Sequence, residues 1–166
     1  MPCEMEELVD AFLMLARHPD VPLDLEEIDV AAVAHEEAAQ ALPWLEGKPV
    51  VLEVVERAQP HVQAPPRALG VVLSQLLRNA CAHTDTGRIE LRVEADRIEV
   101  EDTGSGMDAA TLARAFRPFF RGAGNEAAGK GLGLHVVQRL ATRLGWSVEL
   151  RSTPGIGTAA TLRFPG

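Results

Sequence analysis

The stretch PRALGVVLSQLLRNACAH, residues 66–83, contains the strongest periodic signal in the chain. Its apolar side chains recur three and four positions apart, which predicts an amphipathic helix that packs one face against a core. Gln75, Asn79 and His83 follow at intervals of four along one flank of that face. A narrow amide and imidazole stripe of this kind is typical of a helix that lines a ligand site, and a solvated helix face gives the same pattern. The apolar face consists of Leu69, Val72, Leu73, Leu76, Leu77 and Ala80.

The segments around this helix predict an α/β (α+β) two-layer sandwich, with a mixed, mostly antiparallel sheet and helices on one face. Prolines and glycines separate these segments. We expect further helices over residues 5–17, 24–42 and 134–144, and a short helical stretch after residue 107. We expect strands over residues 49–56, 88–93, 97–102, 147–152 and 158–164, and a short extended segment over residues 61–66.

A second stretch, GNEAAGKGLGL at residues 124–134, is similar to a phosphate-binding P-loop, because four residues separate Gly124 from Gly129 and Lys130. A P-loop also needs a buried strand before the glycines and a hydroxyl after the lysine. The preceding run is basic, aromatic and interrupted by Pro118, and Gly131 occupies the hydroxyl position. The glycines therefore indicate another kind of mobile loop, or a close approach of the backbone to a ligand.

The charge of the chain is unevenly distributed. The net charge is −8, and residues 1–60 hold fourteen acids and three bases, which leaves +3 for the remainder. Four bases near the glycines face a single acid, Glu126, and this local excess points either to an anionic ligand such as a polyphosphate or to a solvated basic loop. The overall negative charge disfavours a nucleic acid partner. The four bases are Arg114, Arg117, Arg121 and Lys130.

The bulk composition places the chain among globular proteins. Its 166 residues suffice for one domain with a core, and 46% of them are hydrophobic. The acidic start, MPCEMEELVD, lacks the basic segment of a signal peptide, and no apolar run is long enough for a membrane span. Cys3 and Cys81 have no metal-ligand spacing and suggest a reducing compartment. We expect a cytoplasmic domain.

The segment EDTGSGM, residues 101–107, follows a predicted strand. The carboxylate of Asp102 would leave the sheet where Gly104 and Gly106 let the backbone pass close to a flat ligand. A carboxylate accepts hydrogen bonds and would suit an exocyclic amine, whereas the pattern by itself also describes an ordinary acidic turn. Near the C-terminus, residues 155–158 form a plausible hairpin turn.

The order of these motifs resembles the ATP-binding catalytic domain of bacterial sensor histidine kinases, in the superfamily that also includes gyrase, heat-shock-90-type chaperones and MutL-type ATPases. Five boxes of that family appear in order, and the resemblance spans roughly residues 23–165. It implies a Bergerat fold in which the glycine-rich stretch is an ATP lid. The matching segments are SQLLRNACAHT (N box), EDTGSGM (G1), AFRPFFRG (F), GKGLGL (G2) and PGIGTAATLRF (G3).

The resemblance implies a nucleotide site for ATP and Mg²⁺. Asn79 would bind the metal ion, Asp102 would accept from the adenine amino group, and Gly104 and Gly106 would border the base. The lid glycines and the start of the following helix would bind phosphate, with Arg121 and Lys130 as charge partners. Three phenylalanines, Phe116, Phe119 and Phe120, would anchor the lid or belong to the core. The remaining implied site residues are His83, Met107, Gly129, Gly131, Leu132, Gly133, Leu134 and Thr158.

The chain departs from the family pattern at two positions. Gln75 stands where kinases of this family usually carry an Asn, and Ala82 stands where many carry a Lys. Hydrolases and anti-sigma serine kinases tend to have a Glu general base at the position of Gln75, and an amide cannot take a proton at neutral pH. The chain therefore resembles a domain that holds ATP for a partner nucleophile. A nucleotide-binding regulatory module and an anti-sigma-type serine kinase are the alternatives.

The sequence contains no phosphoacceptor histidine in the family context, so we assign no catalytic residue to this chain. Residues 1–20 resemble the end of a dimerisation hairpin, and residues 21–166 form the predicted ATP-binding domain. The resemblance implies a longer parent protein that forms a homodimer, can be anchored in the inner membrane, and acts on a response regulator. Without the phosphoacceptor domain, we expect the chain to bind nucleotide and to transfer little phosphate.

Overall fold

The computed structural model of the chain describes Val9, residues 24–116 and residues 133–165. The strands are β1 (Glu26–Asp29), β2 (Val50–Glu56), β3 (His61–Ala64), β4 (Gly87–Val93), β5 (Arg97–Asp102), β6 (Ser147–Thr153) and β7 (Gly157–Arg163). The helices are α1 (Val30–Ala41), α2 (Ala68–His83), α3 (Ala109–Arg114) and α4 (Gly133–Leu144), with a 3-10 turn at Leu42–Leu45.

The main sheet has five strands in the order β2-β4-β5-β7-β6. The β2–β4 pair is parallel and the other three pairs are antiparallel. Strand alternation directs Ile89, Leu91 and Val93 of β4 to the inner face, where they are fully buried. Helix α1 contacts β2 and β4, α2 contacts β5, and α4 contacts β6. The predicted two-layer architecture and mostly antiparallel sheet are therefore confirmed.

The prediction of a continuous helix from residue 24 to residue 42 is wrong at its start. Residues 26–29 form β1, which pairs antiparallel with β3, and the helix begins only at Val30. Asp29 caps the helix, because its Oδ1 accepts a hydrogen bond from the Ala32 backbone N–H at 3.2 Å. The acidic run EEID has little strand propensity, so its structure depends on pairing with a distant segment.

The outer face of the main sheet carries a ladder of ion pairs. Arg92 lies at its centre, with N–O distances of 3.0 Å to Glu99, 3.1 Å to Glu101 and 3.3 Å to Glu90. Charged cross-strand neighbours suit a face that water reaches. The helices and the predicted ligand residues therefore share the opposite face of the sheet.

Two predicted segments lie outside the described residues. These are most of the helix predicted over residues 5–17, of which only Val9 is described, and the glycine-rich segment up to residue 132. Within the described ranges, none of the helices combines the length and the apolar character needed to cross a bilayer.

Candidate functional site

A polar row ends the inner face of the main sheet. Asp102 on β5 pairs with Thr158 on β7, and Thr158 pairs with Ser152 on β6. The same alternation that buries Ile98 and Val100 directs Asp102 inward, so the carboxylate terminates an apolar row. Three polar side chains from three strands therefore meet at one edge of the core.

The Asp102 carboxylate is 5% exposed and is fixed by two backbone groups. Its Oδ1 accepts hydrogen bonds from the Gly104 N–H at 2.9 Å and from the Thr158 N–H at 3.2 Å. Within the described part of the chain both bonds go to Oδ1, so Oδ2 keeps its full acceptor capacity. Burial raises the pKa of Asp102, while the two N–H groups and nearby His83 oppose that rise.

The loop after Asp102 is held between the end of α2 and the β6–β7 hairpin. The Ser105 N–H donates to the His83 carbonyl at 3.1 Å, and the Ser105 carbonyl accepts from the Gly155 N–H at 2.7 Å. A side chain at Gly104 would overlap the His83 carbonyl. Gly106 has a φ of +69° and lies against the Thr153 carbonyl. Both glycines are therefore required by close contacts with the backbone of the protein itself.

Ser152 connects the loop after β5 to strand β7, although no sequence motif pointed to it. Its Oγ accepts from the Met107 N–H at 2.7 Å and lies 2.8 Å from the Thr158 hydroxyl. The predicted residues Met107 and Thr158 are thus joined through a third side chain. The cross-strand register of the terminal hairpin would have identified Ser152, because that register places it opposite Thr158.

Helix α2 presents the predicted polar stripe to this region only in part. Asn79 and His83 are half-buried, but Gln75 is 4% exposed and belongs to the packed interior. Within the described residues, the Asn79 side chain makes no hydrogen bond and is available to a ligand. Burial lowers the pKa of His83, with Asp102 opposing and Lys48 reinforcing that change, so His83 is neutral at pH 7.

Lys48 ties the end of α2 to the rest of the fold, which the sequence analysis did not predict. Its ammonium donates to the Cys81 carbonyl at 2.9 Å and to the Thr84 carbonyl at 3.3 Å. A cation at a helix C-terminus satisfies carbonyls that lack intrahelical partners and interacts favourably with the helix dipole. Cys81 itself is buried, and burial raises the pKa of its thiol to about 11.

The phosphate side of the predicted site is described only at its edges. Gly133 and Leu134 form the first turn of α4, and Leu134 packs against the core, as does Phe116. The other predicted residues here fall outside the described ranges. They are Phe119, Phe120, Arg121, Gly129, Lys130, Gly131 and Leu132. Within the described residues no group of three or more His, Cys, Asp or Glu side chains could hold a metal ion.

Comparison with known proteins identifies the family. Residues 64–166 match the family described as histidine kinase-, DNA gyrase B-, and HSP90-like ATPase. The chain belongs to this family. The matched region contains the polar row, the glycine turn and α2, and the resemblance noted in the sequence is confirmed.

Curated relatives and a solved structure extend this result. The chain is 37% identical over 127 residues to the sensor protein TorS of Escherichia coli strain K12, covering 73% of the chain and 14% of TorS. It is 40% identical over 107 residues to the sensor histidine kinase RcsC of the same strain, covering 60% of the chain and 11% of RcsC. The crystal structure of full-length ShkA in complex with AMPPNP superposes with a TM-score of 0.81 at 24% identity, over 98% of this chain and 35% of ShkA, which supports the fold.

Proposed function

We propose that the chain is the ATP-binding catalytic domain of a two-component sensor histidine kinase. It binds Mg·ATP and donates the γ-phosphoryl group to a histidine on a dimerisation domain, for transfer to a response regulator. The observation that carries this proposal is the buried Asp102 carboxylate, held by backbone groups with one oxygen open, in a chain of this ATPase family. The matched region covers 14% of the length of TorS and 11% of that of RcsC.

The adenine end of the site suits a purine amino group. Asp102 Oδ2 is an anionic acceptor in a buried setting, where a hydrogen bond to a neutral donor is strong and an unpaired acceptor is costly. Gly104 and Gly106 present backbone without side chains beside it, which allows a flat base to approach. Thr158 and Ser152, on the neighbouring strands, are held by their mutual hydrogen bond.

The phosphate end would be formed by α2, the start of α4 and the glycine-rich segment. Asn79 would hold Mg²⁺, because its neutral amide oxygen is a hard ligand suited to that ion. The bound ion would neutralise charge on the phosphates. Backbone N–H groups around Gly131 and Gly133 would bind phosphate, with Arg121 and Lys130 as charge partners.

Gln75 favours transfer to a partner over hydrolysis. An amide in the position four residues before Asn79 cannot accept a proton from water at neutral pH. This favours the histidine kinase over the anti-sigma-type serine kinase, which the resemblance associates with Glu at that position. The parent would act as a homodimer with this domain in the cytoplasm.

The test is calorimetric titration of the chain with ATP and ADP, with and without Mg²⁺, followed by an assay for released phosphate. We expect magnesium-dependent ATP binding and no appreciable hydrolysis. Absence of binding at millimolar nucleotide would refute the proposal. Rapid hydrolysis by the chain alone would contradict the role assigned to Gln75. Joining the chain to the dimerisation hairpin of its parent should then produce phosphohistidine, and binding without any transfer would indicate the regulatory module instead.

A further inference from the structure

Gln75 and Gly133 fit together at the point where α2 meets the start of α4. Gln75 is 4% exposed. Its Oε1 lies close against the position where a side chain on Gly133 would begin, and its Cδ and Cβ lie 3.5 and 3.9 Å from that position, at ordinary contact distance. The glutamine side chain therefore fills the volume that the glycine leaves empty.

The backbone of Gly133 does not by itself require glycine. Several described glycines have positive φ angles, among them Gly106 and Gly145, but Gly133 is not one of them. Gly133 is the first residue of α4, and within a helix alanine is intrinsically more favourable than glycine. A side chain at this position would therefore meet the end of the Gln75 side chain, which would have to move.

This contact sets the position at which the first turn of α4 packs on α2. The two helices pack directly against each other, and Val136, Val137 and Leu140 of α4 are fully buried. Gln75 lies one helical turn before Asn79 on the same flank of α2. Any displacement of the first turn of α4 away from Gln75 therefore changes the separation between that turn and Asn79.

We propose that Gln75 is a positioning residue that sets where the first turn of α4 lies relative to Asn79, and that glycine at position 133 lets the buried Gln75 amide keep its place against that turn. The packing part of this inference is independent of the ligand. The consequence for nucleotide rests on the proposed function, since Asn79 and α4 would both contact the phosphates.

The test is a double-mutant cycle of Gly133→Ala and Gln75→Asn, measured by thermal unfolding and by ATP titration. In the wild-type background, Gly133→Ala should lower the midpoint by about a degree or two and weaken ATP binding about threefold, because the new methyl group displaces the buried Gln75 amide from its place against α4. In the Gln75→Asn background, which shortens the side chain by one methylene, the same change should have little effect on either quantity. Gln75→Ser provides a second shortened side chain in case Gln75→Asn does not fold.

A matched control uses Gln138, an exposed glutamine on α4. Gln138→Asn makes the same chemical change away from the contact, so Gly133→Ala should remain as costly in that background as in the wild type. An equal penalty for Gly133→Ala in the Gln75→Asn and Gln138→Asn backgrounds would overturn the inference. Coupling in the unfolding midpoint without coupling in ATP affinity would overturn the positioning role.

The two measurements also separate this inference from the proposed function. A chain that binds no nucleotide in any variant refutes the proposed function, whereas the unfolding cycle still decides whether Gln75 and Gly133 are coupled. Adenosine titration adds a further discrimination, because adenosine lacks phosphates. A displaced α4 should weaken the binding of ATP and leave that of adenosine unchanged, and an equal loss for both ligands would contradict the positioning role.

Discussion

Asp102 and Asn79 are assigned to the two ends of one ligand, but the fold holds them in opposite ways. Asp102 is buried, and backbone N–H groups from two segments fix one of its oxygens. Asn79 extends from a single helix, is half-buried, and makes no side-chain hydrogen bond within the described residues. The proposed adenine end is thus built as part of the core, whereas the amide at the proposed phosphate end is left for the ligand to order.

The difference indicates how each end should respond to substitution. A residue whose side chain is bonded to backbone groups contributes both to folding stability and to ligand affinity. Only a substitution that keeps the shape of the side chain can change the affinity without changing the stability. A residue without protein partners contributes to binding alone. The variants that follow test this contrast, beginning with the largest expected effect.

Asp102→Asn should abolish measurable ATP binding, with a loss of at least about 100-fold, or ~3 kcal/mol. The amide oxygen can still accept from Gly104 and Thr158, but the amide NH₂ would face the adenine amino group as a second donor. The unfolding midpoint should change little, because the substitution also removes a buried charge. Calorimetry and thermal unfolding measure the two quantities.

The control for this variant is Glu101→Gln, the same chemical change one residue earlier on the outer face. Glu101 is paired there with Arg92 at 3.1 Å, an exposed contact of small energetic value. Its ATP affinity should equal that of the wild type. Normal ATP binding by Asp102→Asn would remove the adenine site as assigned.

Asn79→Ala should weaken ATP binding in the presence of Mg²⁺ by about tenfold or more, since one metal ligand is lost. Binding without Mg²⁺ and the unfolding midpoint should remain unchanged, because the side chain has no partner to lose within the described residues. Parallel titrations with Mg²⁺ and with a chelator measure the difference. An equal loss under both conditions would assign Asn79 a structural role like that of Asp102.

Lys48→Met should destabilise the fold by about 1 kcal/mol, since it removes a cation from the end of α2 and leaves two carbonyls without their donor. Nucleotide affinity should fall only a few-fold, through the displaced end of α2. Chemical denaturation measures the stability change, and Arg57→Met on the exposed surface is the matched control. A larger effect on binding than on stability would place Lys48 in direct contact with the ligand.

His83→Gln should change the pH dependence of stability, which is the smallest effect expected here. Burial and Lys48 lower the pKa of His83 below its ordinary value of 6.5. The unfolded chain then binds more protons than the folded chain, so stability falls as the pH drops below 6.5. Thermal unfolding between pH 8 and about 5 should show that decline in the wild type, and a weaker decline in His83→Gln.

The Asp102 carboxyl changes folding stability with pH in the opposite direction to His83, and it does so at lower pH. Its pKa lies above the ordinary value of 3.8, so the folded state takes up the proton first and gains relative stability as the pH falls through that raised pKa. Protonation also removes the anionic acceptor, and ATP binding should weaken in the same range.

An identical pH profile for wild type and His83→Gln would show that His83 is not held neutral by its surroundings.

The sequence predicted the elements whose signals are local. The three- and four-residue spacing around Leu73 and Leu77 located α2, and alternation located β4 and β5. Asp102, Gly104 and Gly106 were found because their order along the chain is itself a motif. Within the structure these residues do meet at one edge of the sheet, together with Met107 and Thr158.

What the sequence did not predict depends on contacts between distant segments. Strand β1 exists because it pairs with β3, about 35 residues later, against the helical tendency of its acidic residues. Ser152 joins the site through the register of a hairpin, and Lys48 joins it by reaching a helix end 33 residues away. Gln75 was placed in a polar stripe that either lines a ligand site or faces solvent, yet it is packed against the start of α4. No local pattern contains such information.

The rate at which the buried thiol of Cys81 is modified should report how often the domain opens. With the pKa raised to about 11 and the side chain 2% exposed, alkylating reagents should modify it only when the interior beneath α2 opens. In a Cys3→Ser background, the rate of modification therefore reports the population of open molecules. A ligand that binds only the closed form should slow this rate in proportion to its occupancy. One cysteine thus allows affinity to be measured without a label at the nucleotide site.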